Sequence, residues 1–175
     1  EHKEAAISLY DPARHGPLAA RRSFDAKGYA LSYLGMTLWI LGYPDQALKR
    51  ANEAVEFTQA LSHPLSLTGA ESFLGVVQQY RHEARAAQKA AERAIALSVE
   101  HGFTFWLPVA TILRGWAMAQ QGLNEQGIAQ MEEGLAAFRA TGAGTGRPHW
   151  LSLLAEECVE SGRLNDGLSV LAEAQ

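Results

Sequence analysis

The chain has 175 residues, 47% hydrophobic and 19% charged, which excludes a disordered tail and allows one domain or one short repeat array. A net charge of -4 gives no global attraction to nucleic acid or to an anionic membrane. The single cysteine, Cys158, excludes an internal disulfide framework and a cysteine-based zinc site, and it fits a reducing, cytoplasmic setting.

In chain order, residues 1–10 (EHKEAAISLY) read as the tail of a preceding helix, and Glu1 is not an initiator methionine. The chain is therefore expected to be a segment of something longer. The segment 10–25, with Tyr10, His15, Arg21, Arg22 and Asp25, reads as a long loop that either packs over the first repeat or links to an upstream domain. Residues 1–23 thus precede the first repeat. Alanine is abundant while valine and isoleucine are sparse, so propensity favours helix over strand in the rest of the chain. The first predicted helix, 26–41, holds the most apolar stretch, Tyr29 to Leu41. That stretch is interrupted by Ser32, Tyr33, Gly35 and Thr37 and is too short to span a bilayer. A turn at LGYPDQAL (41–48) leads into a second helix, where Leu48, Ala51, Val55 and Leu61 form a helical apolar stripe.

The same pair of helices then recurs. Predicted first helices start again at 64–80, 106–121 and 148–161, with Pro64, Pro108 and Pro148 at or near their N-termini, where a missing N–H costs nothing. Turns recur at YRHEARAAQ (80–88), QGLNEQGI (121–128) and SGRLNDGL (161–168). At a shift of 40, small residues coincide at Ala47, Ala87, Gly127 and Gly167, twelve earlier at Gly35, Gly75, Gly115 and Ala155, and seven later at Ala54, Ala94, Gly134 and Ala174. Small side chains recur where two antiparallel helices must approach closely, so the registers define a repeat of helix A, tight turn, helix B. Its copies span 24–62, 63–102, 103–142 and 143–175, the last cut short. Gly42, Gly122 and Gly162 stand where a helix end favours a left-handed residue, and Asp45, Asn124 and Asn165 stand at the next N-cap or first turn. His82 replaces glycine in the second copy, so that turn is expected to differ.

These registers resemble the tetratricopeptide (TPR) consensus over about residues 24–175, although the period is 40 rather than ~34. HEAT-like repeats share the period but not the small-residue pattern. Leu34, Leu74 and Leu154 fit the consensus, while Arg114 stands where leucine is expected. The resemblance implies an all-α, right-handed superhelical array of antiparallel helix pairs, about four repeats of period 40. Whole phrases (YDPARH, LWILGYPDQAL, LSHPLSL, RGWAMAQQG, FRATGA, LSLLAEE) further resemble the C-terminal repeat region of bacterial proteins that join a class III adenylate/guanylate cyclase or other output domain to a STAND-type ATPase. That second resemblance implies a regulatory segment with the chemistry elsewhere, and the chain holds no Walker-type phosphate loop and no cyclase metal-binding aspartates from which a catalytic residue might be carried over.

TPR geometry places A-helix side chains in a concave groove. Here it implies a groove or ligand-binding set of Tyr29, Ser32, Met36 and Trp39, then Ser72, Val76 and Gln79, then Val109, Ile112 and Trp116, then His149, Ser152 and Glu156. The bland reading of Trp39, Met36 and Trp116 is packing between repeats. Glu71 and Arg114, on inward faces of neighbouring A helices, are expected to form a structural ion pair, the alternative being an anion-binding arginine. Arg81, Arg85, Lys89 and Arg93 form a basic stripe that reads as a solvated face, since Glu83 and Glu92 interrupt it and no aromatics interleave. TGAGTGR (141–147) follows a helix instead of a strand and so reads as an inter-repeat loop, not a phosphate site. The six histidines lack ligand spacing, and His63 and His101 read as B-helix end residues. No metal, no cofactor and no catalytic residue are expected. The expected role is a non-catalytic interaction module that binds a protein or peptide, with a small-molecule sensor as the alternative. Neither nucleic acid nor membrane is an expected partner, and the open terminal repeats leave a homodimer as an option.

Overall fold

The computed structural model describes residues 2–11, 13–15 and 24–173. Its helices are α1 (His2–Ser8), α2 (Ala26–Ile40), α3 (Pro44–Ala60), α4 (Pro64–Tyr80), α5 (Ala84–His101), α6 (Trp106–Ala119), α7 (Asn124–Ala140), α8 (Arg147–Glu160) and α9 (Leu164–Ala172). No strand occurs among the described residues. The even-numbered helices are the A helices, and each packs against the B helix that comes after it.

The turns explain why the chain reverses where it does. Gly42, Gly122 and Gly162 adopt φ of 85°, 89° and 79°. In each turn the glycine N–H donates three residues back and the next N–H five residues back, as Gly42 to Trp39 O and Tyr43 to Leu38 O, both 2.9 Å. This pattern satisfies the last carbonyls of the A helix without lengthening the connection. His82 corrects an expectation. It adopts φ 55° and keeps the same two bonds, to Gln79 O and from Glu83 to Gln78 O, so the second turn does not differ. A non-glycine residue in this conformation costs ~1–2 kcal/mol, against ~0.5–1 kcal/mol for the added chain entropy of glycine. His82→Gly is therefore expected to raise the melting temperature by about 2 °C.

Asp45, Asn124 and Asn165 all fall in first turns. The capping positions belong to Tyr43, Leu123 and Arg163, none of which makes a side-chain cap bond. His63 also differs from expectation: it caps the start of α4, its Nδ1 accepting from the Ser66 N–H at 3.3 Å.

The small-residue registers lie where the helices meet. Gly35, Gly75, Gly115 and Ala155 are buried, as are Ala47, Ala87, Gly127 and Gly167 and also Ala54, Ala94 and Gly134. Ala174 lies outside the described residues. The approach is closest in the third copy, where a Cβ added at Gly127 would fall 2.5 Å from the Gly115 carbonyl oxygen.

Each A helix also touches the next A helix, from α2 through α4 and α6 to α8, while among the described residues the B helices make no comparable contact with one another. The A helices therefore form the inner wall of a curved array and the B helices its outer layer. The main core, built around Ile112, Leu113, Trp116, Met131, Phe138 and Leu154, joins the second, third and fourth copies. At the other end, Asp25 holds three parts together. Its Oδ1 caps α2, its Oδ2 accepts from the Tyr10 hydroxyl at 2.8 Å, and its N–H donates to Ser66 Oγ on α4. The Tyr10 ring meets Phe57 edge-on at 5.4 Å, so the described part of the segment 10–25 packs over the first helix pair; Arg21 and Arg22 lie outside the described residues. No helix among the described residues is long and apolar enough to cross a membrane.

Candidate functional site

Along an α-helix, residues three or four apart share a face. On α2 that rule aligns Tyr29, Tyr33 and Met36, and on α4 it aligns Ser72, Phe73, Val76 and Tyr80. These two faces, with Trp106 and Val109 of α6, Phe138 of α7 and His149 and Trp150 of α8, line a half-open cavity of about 480 Å³. Phe24 and Phe105, just ahead of two A helices, and Thr145 and Gly146 of the loop before α8 complete the lining. The segment TGAGTGR is thus an inter-repeat loop whose last residues form one edge of the cavity.

The rings are in mutual contact around this space. Tyr29 lies 4.4 Å from Tyr33, Tyr33 lies 4.8 Å from Phe73, and Phe73 lies 5.6 Å from Trp106. On the far side Tyr80 meets His149 edge-on at 5.3 Å. Tilted and edge-to-face pairs at such distances add to the stabilisation from burial alone. Aspartate, glutamate, lysine and arginine are absent from the lining. Burial, aided by the Tyr29 hydroxyl, pushes the Tyr33 hydroxyl up to about 12, and burial also pushes Tyr80 up, so both remain neutral phenols. Burial pushes His149 down, which leaves it a neutral imidazole at pH 7. Its Nε2 is buried without a hydrogen-bond partner. The Lys3 ammonium of α1 lies 5.0 Å from the centroids of both the Tyr29 and Tyr33 rings, a cation–π position beside the cavity.

The residues singled out from sequence fall in different places. Tyr29, Met36, Ser72, Val76, Val109 and His149 lie on the cavity wall. Ser32 is buried, its hydroxyl donating back to Gly28 O, and Ile112 and Trp116 are core side chains. Trp39 stacks on Tyr80 at 5.6 Å, beside the cavity but not on its wall. Gln79 is buried with its Oε1 unpartnered, while Ser152 and Glu156 are exposed on α8. Sequence reasoning missed Tyr33, Phe73, Tyr80, Trp106, Phe138 and Trp150. Tyr33 and Phe73 stand forty apart, so the repeat itself carried a signal for those two.

The pairing of Glu71 with Arg114 is corrected. Arg93 of α5 takes both Glu71 oxygens, at 2.6 and 2.8 Å, while Arg114 donates through Nε to Gln130 Oε1 at 2.8 Å. The B helix packed on α4 reaches Glu71, and Arg114 turns instead to the B helix of its own copy. Arg93, expected on a solvated stripe, is half-exposed and anchors a carboxylate only 5% exposed. Arg81, at the other end of that stripe, pairs with Glu83 and Asp45. Removing one partner leaves a buried charge unpaired, so Arg93→Ala is expected to cost about 2–3 kcal/mol in a denaturant melt. Arg114→Leu, which gives up one part-buried hydrogen bond from the guanidinium to a neutral amide, is expected to cost about 1–2 kcal/mol, less than Arg93→Ala.

No family model matches the chain. An uncharacterized protein of Rhizobium meliloti (strain 1021) is 24% identical over 174 residues, covering 98% of this chain and 17% of that protein. The chain thus spans about one sixth of that relative's length. Among solved structures, kinesin light chain nearly identical TPR-like repeats from Podosopora anserina align over 98% of this chain and 84% of theirs, with TM-score 0.59 and 12% identity. The apo form of RapI aligns over 98% of this chain and 58% of its own, with TM-score 0.58 and 14% identity. The fold is a TPR-like solenoid. At these identities the likeness concerns the fold alone: an all-α, right-handed superhelical array of antiparallel helix pairs, as the TPR resemblance implied.

Proposed function

We propose that this TPR-like array is a non-catalytic regulatory module of a larger bacterial signalling protein of cyclase or ATPase type, binding a protein segment along its inner wall. The repeats are taken as 24–62, 63–102, 103–142 and 143–175, with 1–23 leading into them. Support for an interaction role comes from the TPR-like fold and from the uninterrupted contact of the four A helices, which presents one wall instead of separate faces. Support for the parent comes from phrases such as LWILGYPDQAL and RGWAMAQQG and from the far greater length of the Rhizobium meliloti relative. A cytoplasmic setting belongs to the same proposal.

The test is selection of peptides from a random phage library against the chain, with calorimetric titration of the enriched peptides. Peptides that bind the wild-type chain and lose tenfold or more on Tyr33→Ala support the inner wall as the site. Enriched peptides indifferent to that change would place binding elsewhere.

The uncharged, aromatic-lined cavity favours a second reading, a small-molecule sensor in which a bound compound shifts the curvature of the array. Two of the four tryptophans, Trp106 and Trp150, line the cavity, so intrinsic fluorescence reports on occupancy. Saturable quenching by one compound of a metabolite library supports the sensor. Peptide hits without any compound hit favour the interaction module.

A further inference from the structure

We propose that the outer face of the fourth copy seats a further helix of the A type, contributed by the same polypeptide beyond Gln175. This rests on the reading of the chain as part of a larger protein, and it names what the array joins at this end.

The face is apolar, where a free end of a repeat array favours polar residues. Leu164, Leu168 and Leu171 form one stripe on α9 and are 56%, 55% and 42% exposed. Val159 of α8, whose side chain lies against Gly167 of α9, is 45% exposed.

The earlier copies show what belongs there. Met131, Ala91 and Ala51 hold the position of Leu171 in the third, second and first copies, and they are 0%, 0% and 1% exposed. Trp39 holds the position of Val159 in the first copy, and it stacks on Tyr80 of α4, the next A helix, at 5.6 Å. Gln88 holds the position of Leu168 in the second copy, and its Oε1 accepts from Gln121 Nε2 of the third at 2.7 Å. Ile128 holds it in the third copy, buried in one core with Leu151, Leu154 and Cys158 of α8. Each of α3, α5 and α7 packs against the A helix that follows it, whereas no described helix follows α9. The occupant is therefore a helix with aliphatic or small residues three and four apart, as α8 presents to α7.

The same polypeptide is favoured over a separate one. Residues 61–63, 102–105 and 141–146 alone separate the earlier B helices from the next A helices. A helix on so short a connection docks at high effective concentration, while a separate chain gives up its translational freedom. A second copy stacking in the same sense would find its partner's first helix pair already covered. There Ile7 of α1 packs against Leu31, Ala54 and Ala70, and Tyr10 meets Phe57. The matched part is 17% of the Rhizobium meliloti relative, which therefore has ample chain outside it.

The experiment compares Leu168→Cys in this chain and in the intact parent by the rate of maleimide labelling under native conditions. Leu168 is exposed, so the variant keeps the fold, and the native Cys158 is buried and gives a slow background in both. The introduced thiol is expected to react freely in the chain and about tenfold or more slowly in the parent, where labelling waits for local opening. Lys89→Cys, exposed on α5, is the control and is expected to react alike in both. Equal rates at position 168 would overturn the seat while leaving the parent reading in place. p-Benzoylphenylalanine in place of Leu171, irradiated in the intact parent, identifies the occupant. The crosslink is expected within one polypeptide, to the first helix after Gln175. A crosslink to another polypeptide, or to a remote part of the parent, would refute the proposal. Slow labelling of Leu168→Cys in the chain alone, with a dimer mass in sedimentation, would reassign the face to a second copy. A gene product that ends at Gln175 would sink the parent reading, and this proposal with it.

Discussion

Gly127→Ala is expected to cost about 3 kcal/mol and to lower the melting temperature by about 10 °C, read by calorimetry or circular dichroism. A single methyl group has this effect because its neighbours are mostly backbone. The added Cβ would fall 2.5 Å from the Gly115 carbonyl oxygen, 2.6 Å from the Ala119 nitrogen and 2.8 Å from the Ala119 Cβ. No flexible side chain can yield, so α6 and α7 must separate and loosen Ile112, Trp116 and Met131 between them. The first two copies carry alanine at this position, Ala47 and Ala87, and are spaced for it: a Cβ at Gly35 would lie 3.1 Å from the Ala47 carbonyl oxygen. Gly144→Ala is the control. It has no atom within 4 Å of an added Cβ, so the change is expected to be neutral or mildly stabilising. Equal melting temperatures for the two variants would refute the close-approach account.

The second large effect is a dependence on pH set by Glu157 of α8. Its residue is only 2% exposed, and burial pushes its carboxyl up to about 7; Gln120, donating at 2.9 Å, opposes the shift, and Glu160 and Glu156 add to it. A group that holds its proton more tightly when folded gives stability that is complete below its unfolded value and is lost as pH rises. The window here runs from the ordinary 4.5 to about 7. Between pH 4.5 and pH 8 the protein is expected to lose about 2–3 kcal/mol through this residue. Glu157→Gln is expected to flatten that slope and to be the more stable form at pH 8. Denaturant melts at several pH values decide it, and an unchanged slope in the variant would show that Glu157 is not the source.

Much of the fold was legible in the chain because its causes are local. A glycine at 42, 122 or 162 ends a helix through its own φ, and the prolines at 64, 108 and 148 stand in the first turn of their helices, where a missing N–H costs nothing. The predicted A helices agree with the observed ones to within two residues at each end. The His82 turn was misjudged because composition was weighed above the hydrogen bonds that the turn makes, which are backbone bonds and do not depend on the side chain.

The cavity wall was less legible, for a reason of helical phase. Neighbouring residues on a helix point about 100° apart, so choosing Ser32 over Tyr33 exchanged a buried hydroxyl for the ring that lines the cavity. Trp106 and Phe138 escaped because their position depends on how one copy sits against the next. Glu71 found Arg93 instead of Arg114 for the same cause: which of two arginines reaches a carboxylate is decided by the separation and tilt of whole helices.

By itself, then, the order of amino acids determined the helix pairs, the turns between them and the points where backbones touch, since these depend on short-range hydrogen bonds and on how much room a side chain leaves. Only the tertiary structure decided which rings gather around one cavity and which charges pair. Those outcomes depend on the angle between successive repeats, a quantity summed over many contacts and carried by no single position.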